Sequence, residues 1–363
     1  MSNMISIDLR WIDSSGIGTY IKGLMPGLVD AFRDVRIAAI GSRRRLKEFS
    51  WASASHVEII DCNVARYSPA EQVILPLKIP RHTDLFFSPH YPIPLLYRGR
   101  IAVTVHDLSH LVVPEIAQNA VKRAYAATVM GHVRRRASLI LTVSDFSKSE
   151  LLRCTRGPRT DNIVTIHEGV SEEWFSAPSL PRPRRGPYMV YVGNVKPYKN
   201  VSRLVEAFMG AMDAIPHDLL IIGKYEGLIT GESEALFERA KSAGSRIQFT
   251  GPVSQIELLA LVANADALAL PSLYEGFGFP PLEAMAAGVP TLVARSGSLP
   301  EICGNAALYC EPMDVYDIIR GIISILTEAE LRGRLISAGR EQVRKYSWAT
   351  CAQRTADAMR ALL

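Results

Sequence analysis

Residues 271–290 read PSLYEGFGFPPLEAMAAGVP and follow the apolar run DALAL. The run is typical of a buried strand, the glycines predict a tight loop, and Pro281 predicts the first turn of a helix that ends at Gly288. Glu275 would then lie on the loop and Glu283 in the first helical turns, at the carboxyl edge of a sheet, where α/β sheets bind ligands. Two such carboxylates suit the hydroxyls of a sugar and a ribose. The alternative is a capping glutamate beside a surface glutamate.

The same strand–loop–helix order extends outward over the whole chain. Apolar, β-rich runs predict strands at Met4–Asp8, Val35–Ile40, Val57–Asp61, Leu85–Ser88, Ile101–Val105, Leu139–Val143, Met189–Gly193, Leu219–Gly223, Arg246–Thr250, Ala267–Leu270 and Pro290–Ala294. Helical patterns lie between them, for example at Gly18–Phe32, Ala120–Arg136, Asn200–Met212, Ser254–Ala263 and Val315–Leu326. Uniformly apolar strands that alternate with helices indicate parallel sheets covered on both faces, so the predicted fold class is α/β.

The length of 363 residues predicts about two domains. The stretch SAPSLPRPRRGP, residues 176–187, holds four prolines and reads as a linker between them. We therefore expect an N-terminal domain at 1–180, a second domain at 181–345, and a C-terminal helix within 346–363 that packs back on the first domain. Two Rossmann-like, doubly wound domains facing each other across a cleft fit this layout.

Composition places the chain among ordinary globular proteins, with 48% hydrophobic and 21% charged residues and a formal net charge of +5. Residues 1–186 carry 25 basic and 17 acidic residues, whereas residues 187–363 carry 16 and 19. The basic first half could meet phosphates, nucleic acid or an anionic membrane. The five cysteines form no C-x-x-C pair, which argues against a disulfide scaffold or a zinc cluster.

Three further motifs stand at predicted strand ends. Gly16 and Gly18 follow the first strand and open the first long helix, so a phosphate could approach their backbone; the alternative is a plain tight turn. His106 ends the run IAVTV, where it would contact a ligand or be satisfied by its own loop. Lys199 precedes a helix whose dipole disfavours a cation, which favours a bound phosphate over a solvated lysine.

The segment at 271–290 resembles the Glu–seven residues–Glu signature of retaining GT-B glycosyltransferases of family 4. YVGNVKPYKN resembles the donor-phosphate loop of this family, and the match is nearly continuous over 247–314. DLRWIDSSGIGTY, FFSPHYPIP and VTVHDLSHLVVPE are similar to pieces of its N-terminal domain. Within the family, these segments resemble those of the mannosyl- and rhamnosyltransferases of bacterial surface polysaccharides. The resemblance implies a GT-B fold, with an acceptor-binding first domain and a donor-binding second domain.

The resemblance also implies roles for particular residues. Glu275, Lys199 and His106 would be catalytic: Glu275 holds the transferred sugar, Lys199 neutralises the diphosphate, and His106 contacts the sugar from the first domain. The donor-binding residues would be Gly16, Gly18, Gly193, Asn194, Lys199, Val253, Glu275, Gly276, Phe277, Gly278, Phe279 and Glu283. Asn194 and Tyr198 stand where many members have Arg, so Lys199, with Lys196, would carry more of the charge compensation.

The implied reaction moves a hexose from a nucleotide diphosphate sugar to an acceptor hydroxyl with retention, by a front-side, dissociative path. The first choice is mannose from GDP-mannose, transferred to a glycan or lipid-linked acceptor in exopolysaccharide or lipopolysaccharide biosynthesis. A UDP- or dTDP-sugar-dependent glucosyl- or rhamnosyltransferase is the alternative; a sugar-nucleotide epimerase or a non-catalytic sensor belongs to another class. No cofactor and no metal ion are expected, since no D-x-D motif ends a strand. A nucleic-acid partner is not expected either.

Localisation rests on the N-terminus and on the basic clusters. Asp8 and Arg10 interrupt the first apolar stretch, so no signal peptide is expected, and no run approaches the roughly 18 apolar residues of a membrane span. The clusters Arg43–Lys47, Lys122–Arg123 and Arg134–Arg136 indicate contact with anionic lipid or a lipid-diphosphate acceptor; solvated helix faces are the alternative. The prediction is a cytoplasmic protein, peripheral on the inner face of the cell membrane.

Overall fold

The computed structural model describes residues 3–113, 120–224 and 231–363. The chain forms two compact units: unit 1 comprises Met1–Gly169 and Tyr346–Leu363, and unit 2 comprises Val170–Lys345. Each unit is a parallel sheet whose successive strands are joined through helices or loops. The prediction of two doubly wound α/β domains is therefore confirmed.

The described part of unit 1 contains a parallel sheet of seven strands. In chain order they are β1 (Met4–Asp8), β2 (Arg36–Gly41), β3 (Val57–Asp61), β4 (Leu85–Ser88), β5 (Arg100–Val105), β6 (Leu139–Thr142) and β7 (Ile163–Thr165). The spatial order is β3-β2-β1-β4-β5-β6-β7, which changes direction between β1 and β4. Successive residues face opposite cores, as Phe86 and Phe87 do, so the strands are apolar throughout.

The described helices of the first 169 residues lie between these strands. They are α1 (Ser15–Ala31), α2 (Arg43–Leu46), α3 (Glu71–Lys78), α4 (Ser109–Val112), α5 (Ala120–Arg136) and α6 (Asp145–Cys154). Ser144 begins α6 as an N-cap that accepts a hydrogen bond from the Ser147 backbone. Of the motif VTVHDLSHLVVPE, residues 114 and 115 lie outside the described chain.

Unit 2 is built in the same way. Over its described residues, six parallel strands occur in chain order as β8 (Tyr188–Val192), β9 (Asp218–Ile222), β10 (Ile247–Gly251), β11 (Ala267–Leu270), β12 (Thr291–Ala294) and β13 (Leu308–Cys310). Their spatial order is β10-β9-β8-β11-β12-β13, so β8 and β11 are neighbours at the point where the order reverses. The loops that follow these two strands therefore meet at the carboxyl edge of the sheet, the ligand-binding position of such folds.

In the described part of unit 2, helices precede and separate the strands. They are α7 (Glu173–Ser176), α8 (Val201–Ala211), α9 (Gly231–Ser242), α10 (Gln255–Ala263), α11 (Phe279–Ala286), α12 (Leu299–Cys303), α13 (Val315–Thr327) and α14 (Ala329–Val343). A complete capping box, formed by Ser254 and Glu257, begins α10. Pro280 and Pro281 occupy the first turn of α11, where a missing N–H costs nothing.

The last helix, α15 (Trp348–Arg360), belongs to unit 1. It packs along α1 at two glycines: a Cβ on Gly23 would lie 2.1 Å from the Trp348 ring, and one on Gly27 would lie 2.7 Å from Ala352. Only residues without a side chain allow the two helices to approach this closely. The end of the chain thereby completes the core of the domain in which it began.

The units divide at Gly169 and Val170, before the boundary at 180 that the sequence predicted. The proline-rich stretch 176–187 belongs to unit 2 and begins with helical structure, the end of α7 and a 3-10 turn at Ala177–Ser179. Trp174 is only 2% exposed, and the Asn264 side chain donates to the Leu180 carbonyl at 3.4 Å. Buried apolar surface, which the proline count does not reveal, holds this segment on the second sheet.

None of the helices in the described chain is both long and apolar enough to span a membrane.

Candidate active site

Lys199 and Glu275 come together in unit 2 as an ion pair. Lys199 ends a 3-10 turn, Pro197–Lys199, that follows β8, and Glu275 lies in the loop that follows the neighbouring strand β11. The Lys199 ammonium donates to both carboxylate oxygens of Glu275, at 2.8 and 2.7 Å, and the two side chains are only 20% and 10% exposed. The structure thus joins two residues that the sequence singled out separately, in a charge-assisted contact stronger than a surface pair.

Asn200 holds the two loops of this pair in place. Its backbone is left-handed, with φ of 61°, a conformation that Asn adopts more readily than most residues. The buried side chain donates to the carbonyls of Pro271 and Pro312 at 2.9 and 2.7 Å and accepts from Arg203 at 2.9 Å. Asn200 therefore fixes the position of Lys199 against the Glu275 loop. The sequence placed it at a helix start but did not indicate this role.

A short segment after β12 supports the Glu275 loop from behind. The Ser298 hydroxyl donates to the carbonyls of Glu275 and Phe277 at 3.1 and 2.6 Å, and its backbone N–H donates to the Glu275 carbonyl at 3.2 Å. Gly297 has φ of 59°, and a Cβ there would lie 2.8 Å from both the backbone N and O of Glu275. Gly278, with φ of 119°, ends the loop at the start of α11. This support was missed, although the Ser–Gly–Ser cluster after a strand signals a special turn.

The loop after β8 is equally compact. Gly193 has φ of 150°, and a Cβ on Gly223 would lie 2.2 Å from the Gly193 carbonyl oxygen. Asn194 is half-buried, and its carbonyl accepts a hydrogen bond from the Tyr191 hydroxyl at 3.2 Å. The close approach of the two loops therefore explains the glycine at 223, a Cβ on Gly193 would lie 2.9 Å from the Tyr191 hydroxyl, and the donor-binding role of Gly193 and Asn194 stays a prediction.

The ring of Tyr198 lies close to two cations. Tyr198 stands where many members of the resembled family have Arg. The ammonium groups of Lys196 and Lys199 lie 5.7 and 5.3 Å from the centroid of its ring. A ring face attracts cations electrostatically. The predicted partnership of Lys196 with Lys199 thus has a geometric basis, because one aromatic ring keeps both positive charges near the same loop.

Glu283 lies on α11, and its carboxyl group is held among apolar and acidic neighbours. Burial and the negative charge of Glu173 raise the pKa of Glu283, a hydrogen bond with Trp174 opposes them, and the resulting pKa is about 8. Val253 follows β10 and is half-exposed, and the Gln255 amide donates to Glu173 at 2.9 Å. The residues predicted to meet the ribose and the base thus lie in one unit with Lys199 and Glu275.

This carboxyl group should make stability depend on pH. The folded chain keeps Glu283 protonated up to its pKa of about 8, whereas an unfolded glutamate ionises near 4.3. The stabilising contribution is fully present below the unfolded value and is lost as the pH rises through about 8. The Glu283→Gln variant cannot ionise at this position. We therefore expect its Tm to rise relative to that of the unmodified chain as the pH is raised from 5 to 9.

The matched control is Glu330→Gln, which removes a carboxylate that is 92% exposed on α14. Its Tm should follow the unmodified chain across the same pH range. Parallel curves for the unmodified chain and Glu283→Gln would contradict the raised pKa of Glu283.

His106 lies in unit 1 directly after β5, and both of its ring nitrogens make hydrogen bonds. Its Nδ1 contacts Glu168 at 3.1 Å, and its Nε2 contacts the Pro89 carbonyl at 2.8 Å. Burial lowers the pKa of His106, but the hydrogen bond and charge of Glu168 outweigh it, so the pKa is raised overall. Both acceptors fit a doubly protonated ring. Glu168, 62 residues further along the chain, is a partner that no local pattern indicated.

The two glycines predicted to meet the diphosphate differ in their surroundings. Gly16 is exposed, and a Cβ there would meet nothing within 4 Å. Gly18 is buried, and a Cβ there would lie 2.5 Å from the Ile12 carbonyl oxygen. Gly18 is therefore needed for the packing of α1 on its own preceding loop, and contact of either glycine with a diphosphate stays a prediction.

The basic clusters that indicated membrane contact are partly engaged within unit 1. Arg134 is only 3% exposed and donates to the Arg159 carbonyl at 2.8 Å, so the prediction that it faces lipid is wrong. Arg43 donates to the Ile59 carbonyl at 2.6 Å, and Arg45 pairs with Asp13. The side chain of Lys122 lies outside the described part of the chain.

No group of three or more His, Cys, Asp or Glu side chains suited to a metal ion occurs among the described residues. Independence of a metal ion stays a prediction.

Comparison with known proteins identifies the family. Residues 172–342 match the family model of the glycosyl transferases group 1. The O-antigen chain mannosyltransferase B of Escherichia coli is 33% identical over 290 residues, which cover 77% of this chain and 74% of that protein. The chain belongs to the group 1 glycosyltransferases. The serotype-specific mannosyltransferase WbdA of Escherichia coli is 31% identical to this glycosyltransferase. The match covers 63% of the glycosyltransferase described here but only 29% of the longer WbdA.

Solved structures agree on the architecture. Anabaena Alr3699/HepE in complex with UDP-glucose matches this glycosyltransferase with a TM-score of 0.76 at 17% identity, over 99% of each chain. WaaG, a glycosyltransferase involved in lipopolysaccharide biosynthesis, matches with a TM-score of 0.75 at 15% identity, over 97% of this chain and 98% of its own. At these identities the likeness shows the fold alone, and it confirms the GT-B prediction.

Proposed function

We propose that this group 1 glycosyltransferase is a retaining mannosyltransferase that uses GDP-mannose and builds a bacterial surface polysaccharide on a glycan or lipid-linked acceptor. Two relatives of different length, the O-antigen chain mannosyltransferase B and WbdA, are named for mannose transfer. The observation that carries the proposal is the pairing of Lys199 with Glu275 at the meeting point of the β8 and β11 loops. A cation and a carboxylate there can receive the two ends of a sugar diphosphate.

Each half of the pair would change partner when the donor binds. The Lys199 ammonium would turn to the diphosphate oxygens, and the Glu275 carboxylate would accept hydrogen bonds from sugar hydroxyls. Gly276 and Phe277 would offer backbone N–H groups beside it, and α11 begins directly after Gly278. Backbone N–H groups and the positive end of a helix dipole stabilise an anion at such a position.

The chemistry would then be charge stabilisation rather than covalent catalysis. The bond between the anomeric carbon and the phosphate oxygen breaks, and the acceptor oxygen attacks from the same face. The departing phosphate oxygen takes the acceptor proton. Lys199 would stabilise the negative charge that develops on the diphosphate, and preorganised charges of this kind are commonly the largest single contribution to catalysis. Lys196, held on the same ring of Tyr198, would add to it.

The remaining candidates would position the ends of the donor. Glu283, protonated below a pKa of about 8, can donate as well as accept hydrogen bonds with the ribose hydroxyls. Val253 would meet the base at the end of β10. His106, whose pKa Glu168 raises, would bring positive charge to the sugar from unit 1.

A donor screen tests this function. We expect GDP, but neither UDP nor dTDP, to raise the Tm of the full chain, and GDP-mannose to be consumed only when an acceptor saccharide is added. The expected result follows from selective stabilisation of the folded state by a bound ligand. Glu275→Ala serves as the comparison, since it should abolish acceptor-dependent transfer.

Each other outcome selects an alternative. Stabilisation by UDP or dTDP alone would replace the donor with one of those sugar nucleotides. Conversion of the donor sugar without acceptor would favour an epimerase. Tight GDP-mannose binding with no turnover on any glycan would favour a sensor.

A further inference from the structure

The residues that follow β1 and β4 form an aromatic and polar cluster at one edge of unit 1. These two strands are neighbours where the strand order of the sheet reverses. Trp11 follows β1 and His90 follows β4, and the centroids of their rings lie 4.6 Å apart. A doubly wound sheet binds ligands at such a position, and the loops of Lys199 and Glu275 occupy the equivalent position in unit 2. The fold therefore provides unit 1 with a binding position of its own.

Three buried side chains at this edge carry a polar atom that has no hydrogen-bond partner among the described residues. The atoms are Nη1 of Arg10, Nε1 of Trp11 and Nδ1 of His90. The Arg10 side chain is 3% exposed, and Trp11 and His90 are 4% and 6% exposed. A polar group buried this deeply without a partner is unfavourable. A ligand with hydroxyl groups, which both donate and accept, would supply the missing partners.

Tyr67 is held beside this cluster in a strained backbone conformation. Its φ is 60°, and among the described residues other than glycine only Asn200, next to Lys199, also has a positive φ. A bulky residue rarely adopts this conformation, and such strain is concentrated at functional sites. The buried Glu71 carboxylate holds it in place, because one oxygen accepts from the Tyr67 backbone N–H at 2.8 Å and the other pairs with Arg10 at 2.6 Å.

The ring of Tyr67 extends the aromatic surface of the cluster. Its centroid lies 5.0 Å from that of Trp11, its hydroxyl lies 3.0 Å from Nε2 of His90, and Tyr67 is 45% exposed. Binding sites for small molecules combine aromatic side chains with a few placed polar groups. A sugar ring fits this combination, since its C–H faces can pack on aromatic rings while its hydroxyls form hydrogen bonds.

The charges of the cluster balance one another. Arg10 pairs with the carboxylates of Asp8 and Glu71, and the guanidinium of Arg66 lies 4.7 Å from the centroid of one of the rings. Burial and the positive charges around it lower the pKa of His90 well below its usual value, so this ring is neutral. Two cations thus stand against two anions, which suits a neutral ligand better than a phosphate.

We propose that Trp11, Tyr67 and His90 form the subsite that binds the sugar ring of the acceptor. The ring would pack on Tyr67 and Trp11, and its hydroxyls would satisfy Nε1 of Trp11 and Nδ1 of His90. The His90 ring lies 6.1 Å from that of His106, which the proposed function places against the transferred sugar. This inference rests on the proposed function and deepens it, because it names the residues that hold a neutral saccharide beside the reacting sugar.

The test is binding of saccharides to the full chain without nucleotide, measured by isothermal titration calorimetry with mannosyl, glucosyl, galactosyl and rhamnosyl disaccharides. Tyr67→Gly and Tyr67→Asn remove the ring but accept a left-handed backbone, so Tm should not fall. Both should weaken binding of the preferred disaccharide about tenfold. Trp11→Phe keeps a ring and removes only the N–H donor, so it should weaken binding about fivefold. In turnover, the KM for the acceptor should rise and the KM for the donor should stay unchanged.

Tyr316→Asn is the matched control, because Tyr316 is a 75% exposed tyrosine of unit 2. It should bind saccharide like the unmodified chain. The proposal is overturned if the unmodified chain binds none of the disaccharides, or if Tyr67→Gly loses Tm and keeps its affinity, as expected of a residue that serves only packing. Displacement of the saccharide by inorganic pyrophosphate would assign the cluster to a phosphate instead. The rise in Tm with GDP should persist in every variant, so loss of saccharide binding is distinguishable from failure of the proposed donor.

Discussion

Lys199→Ala should reduce acceptor-dependent transfer at least about 100-fold, because removal of one preorganised charge at the leaving group costs that much or more. The same change leaves the Glu275 carboxylate, 10% exposed, without the ammonium that contacts both its oxygens. The measurement is kcat and KM for GDP-mannose at saturating acceptor. We expect the loss mainly in kcat, since the charge matters most when the diphosphate departs.

Lys241→Ala is the matched control for this variant. Lys241 also pairs with a glutamate of unit 2, Glu238, but both side chains are about 70% exposed. Such a surface pair contributes little, so turnover and Tm should stay near those of the unmodified chain. Near-normal turnover in Lys199→Ala would show that the site has been assigned to the wrong residues.

Gly297→Ala should reduce kcat by about 10- to 100-fold without touching a charged group, because a displacement of about 1 Å in a catalytic group can cost that much. A Cβ at this position would lie 2.8 Å from the backbone N and O of Glu275, closer than real contacts allow. The left-handed φ of 59° adds roughly 1–2 kcal/mol of strain. The loop must therefore shift, and Glu275 shifts with it. Steady-state kinetics and a Tm measurement together check this.

Gly333→Ala separates a loop effect from a general glycine effect. Gly333 lies within α14, and a Cβ there would meet nothing within 4 Å. Alanine favours a helix over glycine by about 1 kcal/mol, so this control should gain Tm and keep its turnover. Unchanged kcat in Gly297→Ala would mean that the Ser296–Ser298 segment does not position Glu275.

Much of the fold follows from the sequence because buried parallel strands are continuous apolar runs. Strands β1, β3, β4 and β11 coincide with the predicted ranges, and the predicted helix Ala120–Arg136 has the observed bounds. The missed strands are Ile163–Thr165 and Leu308–Cys310, which are three residues long, lie at sheet edges and are partly exposed. A run of three residues with mixed burial has no apolar pattern that distinguishes it from the neighbouring loop sequence.

The sequence predicts individual residues of the candidate site but not the contacts between them. Lys199 and Glu275 were found because each belongs to a local motif at a strand end. Their mutual contact spans 76 positions of the chain, and it depends on β8 and β11 being neighbours in the sheet. The support from Ser298 and the contact between His106 and Glu168 are likewise tertiary. Local sequence patterns place these side chains at the carboxyl edge of a sheet. The spatial order of the strands then decides which of the side chains are in contact.

The Lys199–Glu275 pair also has a consequence for selectivity. In the structure each charge is the counterion of the other. An inorganic phosphate that captured Lys199 would leave the carboxylate without a cation, and a free sugar that captured Glu275 would leave the ammonium without an anion. Separating a largely buried pair is unfavourable unless both charges find new partners. On the proposed assignment, a molecule that carries diphosphate and sugar in one covalent unit provides partners for the Lys199 ammonium and the Glu275 carboxylate at once. The site should therefore bind an intact sugar nucleotide more tightly than it binds phosphate or free sugar alone.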